Sequence, residues 1–293
     1  MAYSTSLDQS QAESIVDEYS YMHPTVAKLL RRVRIPQHSN EWNVKRQVSI
    51  TATNFAPILG QSKWEKPAQI FKRKTKQINP VMRNDAMNHG IYYEPEAKHV
   101  FELVTGIQLY SGDIGLVMHE EIEWVGASPD AVAVHYPFII EIKCPAYGLI
   151  HHECPAHYYA QVQCQLAVCN IDVCYIVQYD PPNFPVSKGL IDIKRVDRDP
   201  AWFTSVLPEI SAFYTRVLKF YEDSGNSISN QTSNWKEHQK TQGKKRKQKE
   251  TACSIVQDSN LNCDHNTAID NITTDITMDD NVSDDNDCRI VDG

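Results

Sequence analysis

No stretch of this 293-residue chain approaches the ~20 consecutive apolar residues that a membrane helix needs. The opening segment also lacks the basic, then apolar, then small-residue order of a secretory signal: Met1 to Ser20 is polar and carries Asp8, Glu13, Asp17 and Glu18. Neither a membrane protein nor a secreted one is expected, and an intracellular location follows. None of the eight cysteines stands in a CxxC pair. That absence argues against a disulfide framework and against the tight cysteine clusters of iron–sulfur nucleases. Cys144, Cys154, Cys164, Cys169 and Cys174, with His151, His152 and His157, could suggest zinc, but the short paired spacings of structural zinc sites are missing, and buried free thiols are the simpler reading. An excess of positive charge is missing as well, since the formal net charge is -8. Ten Asp against one Arg between Gln257 and Gly293 account for -9 of it, which leaves +1 on residues 1–256. Attraction to a polyanion would have to come from local patches.

What is present centres on Trp124 to Pro145, WVGASPDAVAVHYPFIIEIKCP. Within it, Phe138 to Lys143 has apolar residues at both parities, the pattern of a strand covered on both faces. Glu141 and Lys143 share one parity, so their Cβ atoms stand side by side, ~6–7 Å apart. With Trp124 to Val134 read as the neighbouring strand and His135-Tyr136-Pro137 as the turn, Asp130 falls beside Glu141. Two buried acids against one lysine leave an uncompensated charge that costs several kcal/mol (~3–5). A metal ion is the candidate for the missing positive charge.

The flanking segments read as helices and strands around this stretch. Val26, Leu29, Leu30 and Val33 among Lys28, Arg31, Arg32 and Arg34 predict an amphipathic helix ending before Pro36, within an N-terminal extension of residues 1–40. Glu41 to Gly60 predicts two helices broken near Ser49, the second capped by Thr51 or Thr53. Lys63 to Arg83 carries seven basic residues against Glu65 alone, with Trp64 and Phe71 interleaved, which suits a phosphate backbone or a solvated face. Asn84 to Gly106 predicts a helix on which Glu94 sits at the edge of the apolar stripe, either paired with Lys98 or aimed at the acids above. Ile107–Tyr110 and Gly115–His119 read as strands, Pro155–Asn170 as a helix with Gln161 and Gln165 beside its buried face, Val173–Tyr179 as a strand, and Gly189–Val196 as an edge strand. A long helix starts at Asp199 and should bend at Pro208. Residues 224–293 turn to Ser, Asn, Gln, Thr and Asp and are expected to be disordered. Inside them, Lys244 to Lys249 forms a compact basic run, the kind that serves as a nuclear localisation signal or a DNA tether.

Five pieces occur in an order that resembles a known family: Trp42-x3-Arg46 with Ile50-Thr51-Ala52-Thr53; Gly90-x3-Glu94-Pro95-x-Ala97 to Thr105-Gly106; Gly126-x-Ser128-Pro129-Asp130; Glu141-Ile142-Lys143-Cys144-Pro145; and Tyr159-Ala160-Gln161-Val162-Gln163. They resemble the YqaJ-type viral recombinases, the lambda exonuclease family of the PD-(D/E)XK nucleases. The resemblance implies a nuclease domain over about residues 41–222, of the α/β class with a restriction-endonuclease-like αβββαβ core, a mixed central sheet and flanking helices. It implies Mg²⁺ or Mn²⁺ held by Asp130, Glu141, the Ile142 carbonyl and Glu94, Lys143 positioning and helping to deprotonate water, and Gln161 orienting water or phosphate. Arg46, Thr53 and Ser128 resemble positions that grip a terminal 5′ phosphate, with Thr at 53 where the phage member of the family has Ser. The implied activity is a DNA exonuclease, acting 5′ to 3′ on linear duplex ends and leaving 3′ single strands for recombination. A ring of three subunits and a single-strand annealing partner belong to the same expectation. A non-catalytic DNA-binding module, a structure-specific endonuclease and an RNase are the alternatives on this core.

Overall fold

The computed structural model describes residues 17–79, 84–146, 150–151, 153–182 and 189–225. The expected disordered tail from residue 226 on, its basic run at 244–249, Arg83 and His152 lie outside the described residues. In chain order the elements are α1 (Pro24–Leu30), β1 (Arg34–Ile35), α2 (Asn40–Val48), β2 (Ile50–Thr51), α3 (Ala52–Ile58), α4 (Pro67–Lys74) and α5 (Asp85–Thr105). They continue with β3 (Leu116–Met118), β4 (Val125–Ala127), β5 (Ala131–Val132), β6 (Phe138–Lys143), α6 (Ala156–Cys169), β7 (Val173–Asp180), β8 (Leu190–Asp197) and α7 (Pro200–Asp223). Among the described residues no helix is long and apolar enough to cross a membrane.

Local chemistry sets the ends of the long helices. The Asn84 side chain accepts the Met87 N–H at 2.9 Å and starts α5, and Gly106, at φ 68°, ends it in the left-handed conformation that costs a glycine least. Asp199 accepts the Trp202 N–H at 2.9 Å, with Pro200 opening α7, a cap worth ~1 kcal/mol.

The strands form two four-stranded mixed sheets where the sequence predicts a single one: β1-β3-β4-β2, with β2 parallel to β4, and β5-β6-β7-β8, with β6 parallel to β7. The predicted strand from Trp124 to Val134 is therefore two strands, and the chain changes sheets at Ser128-Pro129-Asp130. Pro129 has no N–H to give a ladder, which breaks the pairing there. The predicted strand at Ile107–Tyr110 reduces to one bridge, Leu109 to Ala133. The predicted first helix ends at Leu30, and Arg34-Ile35 instead joins β3 as an antiparallel edge.

Two apolar cores flank the second sheet. Phe138, Ile140 and Ile142 of β6 pack with Ala97 and Phe101 of α5, whereas Ile139 faces the other way, into a core shared by α1, α3, α6 and α7. The strand period thus sends Glu141 and Lys143 to the α6 side. α6 itself is buried without a break from Val162 to Cys169. It carries two glutamines into a place where only hydrogen-bonded polar groups are tolerated.

Candidate active site

The register of β5 against β6 brings the acids together. Ala131 pairs with Ile140 and Val132 with Ile139, which places Asp130 opposite Glu141 on the face that α6 covers. Two hydrogen bonds fix the arrangement: the Asp130 N–H donates to the Ile140 carbonyl at 3.1 Å, and the Ile142 N–H donates to Asp130 Oδ2 at 2.7 Å. Directly opposed antiparallel residues have Cβ atoms ~4.5–5.5 Å apart, close enough for like charges to repel strongly. Burial first, and then the negative charges of Glu141 and Glu94, hold the Asp130 carboxyl well above the usual carboxylate range.

Glu141 is 4% exposed and has three donors. Its Oε1 accepts Lys143 Nζ at 2.5 Å and Gln161 Nε2 at 2.6 Å, and its Oε2 accepts Gln165 Nε2 at 2.5 Å. Lys143 also donates to Gln161 Oε1 at 3.0 Å and lies 5.0 Å from the centre of the Tyr158 ring. Burial alone would lower its pKa, but Glu141 and Asp130 more than offset that, and the net shift is upward. Lys143 is therefore a charged donor in this arrangement.

Glu94 pairs with Lys98 at 2.8 Å across one helical turn, half exposed, and its charge still bears on Asp130. α5 is held over the end of β6 by His89, whose Nδ1 lies 3.3 Å from the Cys144 carbonyl. Among the described residues no three His, Cys, Asp or Glu side chains gather around one point. The donor set nevertheless suits a hard cation: two carboxylates on one face, one of them destabilised by neighbouring negative charge, and the buried, unpartnered Gln165 Oε1. Oxygen donors suit a hard divalent cation better than a soft metal.

The second predicted group lies where the first sheet ends. β2 runs parallel to β4, Thr51 aligned with Gly126, so Thr53 and Ser128 both lie just beyond the same end of this pair. Thr51, the residue capping α3, bonds Asn54 Oδ1 through its N–H at 3.1 Å, and its hydroxyl meets that of Thr53 at 3.2 Å. Ser128 Oγ is buried without a partner. Arg46, in the last turn of α2, stacks on Trp42 at 4.3 Å, and burial lowers its pKa.

The predicted basic face of Lys63 to Arg83 divides. Arg73 pairs with Glu65, Phe71 packs against Phe213 and Phe220, and Lys74 is buried. Lys74 Nζ donates to the Arg46 and Ser49 carbonyls at 2.5 Å each, capping the end of α2. Gln47 Nε2 donates to the Lys74 carbonyl at 2.9 Å, and so does the Tyr221 hydroxyl at 2.7 Å. Sequence reasoning missed Lys74, Gln165 and Tyr158 as parts of the site. The available signal for Gln165 was its i+4 spacing from Gln161, and for Lys74 its i+4 spacing from the buried Ile70.

Adjacent strands carrying Asp130 and Glu141-Ile142-Lys143, roofed by a helix that presents glutamines, define a restriction-endonuclease-like fold. The alkaline exonuclease LHK-Exo from Laribacter hongkongensis has this fold: it superposes with a TM-score of 0.52 at 26% identity, covering 64% of this chain and 96% of its own. Its complex with dAMP superposes equally well, at 24% identity. Residues 41–172 match the YqaJ-like viral recombinase domain. YqaJ of Bacillus subtilis, itself uncharacterized, is 30% identical over 135 residues, 44% of this chain and 42% of that protein. An uncharacterized protein of Acanthamoeba polyphaga mimivirus is 27% identical over 159 residues, 48% of this chain and 29% of its own. The chain thus spans less than half the length of these curated relatives.

Proposed function

We propose that the protein is a Mg²⁺- or Mn²⁺-dependent deoxyribonuclease that degrades linear duplex DNA from its 5′ ends and leaves 3′ single strands for recombination or repair. The observation that carries this reading is Asp130 opposed to Glu141, with Lys143 on the same face beneath Gln161 and Gln165. Asp130, Glu141 and the Ile142 carbonyl would hold the ion, and Glu94 would add its charge. When bound, such an ion supplies an acidified water and offsets charge growing on the phosphate oxygens.

The residues themselves divide the remaining work. Gln165 and Gln161 fix the Glu141 carboxylate so that neither oxygen rotates away. Lys143, as an ammonium, orients water with Gln161 and neutralises charge on the phosphate being cut. The buried Ser128 hydroxyl, Thr53 and Arg46 are suited to a terminal 5′ phosphate, which needs donors and a cation. The reading extends to assembly as a homo-oligomeric ring, to an annealing partner for the exposed strand, and to a nucleus as the place of action, the last resting on the basic run at 244–249.

The test is cleavage of linear, nicked and covalently closed DNA, and of RNA, by purified protein with Mg²⁺. Linear duplex alone should be consumed, faster with a 5′ phosphate than a 5′ hydroxyl, and Arg46→Ala should erase that preference. Asp130→Ala and Lys143→Ala should each lower kcat at least ~100-fold. Absence of hydrolysis, or undiminished hydrolysis in both variants, rules the reading out. Cutting of closed circles or RNA replaces it with an endonuclease or an RNase on the same core.

A further inference from the structure

Trp64 has no part in the chemistry described above, yet it stands beside it. The indole is 68% exposed on the link between α3 and α4. A single exposed aromatic is ordinary, so its surroundings decide what it means. The link is held rigidly: the buried Ser62 hydroxyl accepts the N–H groups of Trp64 and Glu65 at 3.2 Å each, and Glu65 pairs with Arg73. The ring meets His157 edge-on, with centroids 5.0 Å apart at 78°, a contact that leaves ring surface uncovered. His157 in turn lies 4.4 Å from Tyr158, whose ring lies 5.0 Å from Lys143 Nζ. A continuous row of aromatic rings therefore leads from open solvent to the ammonium of the active site.

Charge along the row has the sign that a polyanion requires. Lys63 and Lys66, on either side of Trp64, are exposed. Burial first, and then Lys143, His151 and Lys63, lower the pKa of His157. An indole face flanked by lysines and rigidly presented is the combination that binds single-stranded nucleic acid, where each base offers a π face and each linkage a charge.

We propose that Trp64 is a stacking platform for a base of the strand being cut, within a few nucleotides of the phosphate that Lys143 faces, and that Lys63 and Lys66 hold the adjoining backbone. The inference rests on the nuclease reading and gives it a subsite that takes bases without regard to sequence.

The experiment is the binding of a short, labelled, 5′-phosphorylated deoxyoligonucleotide to the full chain in EDTA, followed by anisotropy. Trp64→Ala should weaken binding about tenfold to one hundredfold, and Trp64→Phe, which keeps a π face, by no more than about threefold. Abasic residues near the 5′ end should weaken binding to the wild type by a similar factor and to Trp64→Ala not at all. Equal affinity of wild type and Trp64→Ala, or full recovery in Trp64→Leu, overturns the proposal, the second result marking an apolar contact for a protein partner. If the wild type cuts linear duplex while these differences are absent, only the stacking subsite falls. If the wild type cuts nothing, the nuclease reading falls first.

Discussion

A buried lysine with no acid beside it should leave its mark on the stability of the folded chain. Lys74 is 8% exposed, and burial, reinforced by the positive charges of Arg46 and Arg73, lowers its pKa from 10.5 to about 7. Between these values the unfolded chain holds the proton and the native chain does not. Unfolding then takes up a proton, and stability rises with pH at up to ~1.4 kcal/mol per unit, for a total of roughly 3–5 kcal/mol. Lys74→Met removes this slope. It also deprives the Arg46 and Ser49 carbonyls of their donor, a loss of ~1–3 kcal/mol. The variant should therefore be near neutral or mildly stabilised at about pH 7 and destabilised by ~1–3 kcal/mol near pH 10. Urea unfolding of both proteins across that range measures the difference, and subtracting one curve from the other cancels every other titrating group. Parallel curves would refute the reasoning. A 5′ phosphate bound at Arg46 adds negative charge nearby and should make the wild-type slope shallower.

Two further outcomes are expected. Gln165→Met removes a buried donor from Glu141 Oε2 and should cost ~1.5–3 kcal/mol in urea unfolding, with a fall in kcat larger than any rise in KM; an unchanged kcat would remove Gln165 from the site. Gly115→Ala forces a side chain to φ 72°, with its Cβ 2.5 Å from the Ile35 carbonyl, and should lose ~1–3 kcal/mol, whereas Gly60→Ala, at a similar φ with nothing within 4 Å, should lose only ~1 kcal/mol; equal losses in thermal or urea unfolding would show that β1 gives way freely.

The pairing of Asp130 with Glu141 was legible because strand parity is rigid and a turn at 135–137 folds the chain back so that Asp130 can fall beside Glu141. The helices from Asn84 and Asp199 were legible because a cap, an apolar stripe and a stop agree at each. The division of the strand at 128–130 was not, because Val, Ala and Pro fit one bent strand as well as two short ones, and only the rest of the fold decides which sheet each half joins. Lys74 and Arg73 were read as one basic face because local sequence gives charge but not its burial. The carbonyls that receive Lys74 come from a helix about 25 residues upstream, and no period links them. The Glu94–Lys98 ion pair was legible because an i+4 spacing puts the two on one helix face.

The turn where the chain changes sheets also works as a ruler. Ser128 and Asp130 are separated by one residue, so their Cα atoms are at most ~7 Å apart whatever the rest of the molecule does. If the first grips the end of a strand and the second helps to cut it, the distance from end to cut is set by two peptide bonds and cannot drift with loop motion. A nucleotide advances a stacked strand by ~3.4 Å and by about twice that when splayed, so the span admits one or two units. On the proposed nuclease reading, the expected product is a stream of mono- or dinucleotides, its size determined by the backbone at Pro129.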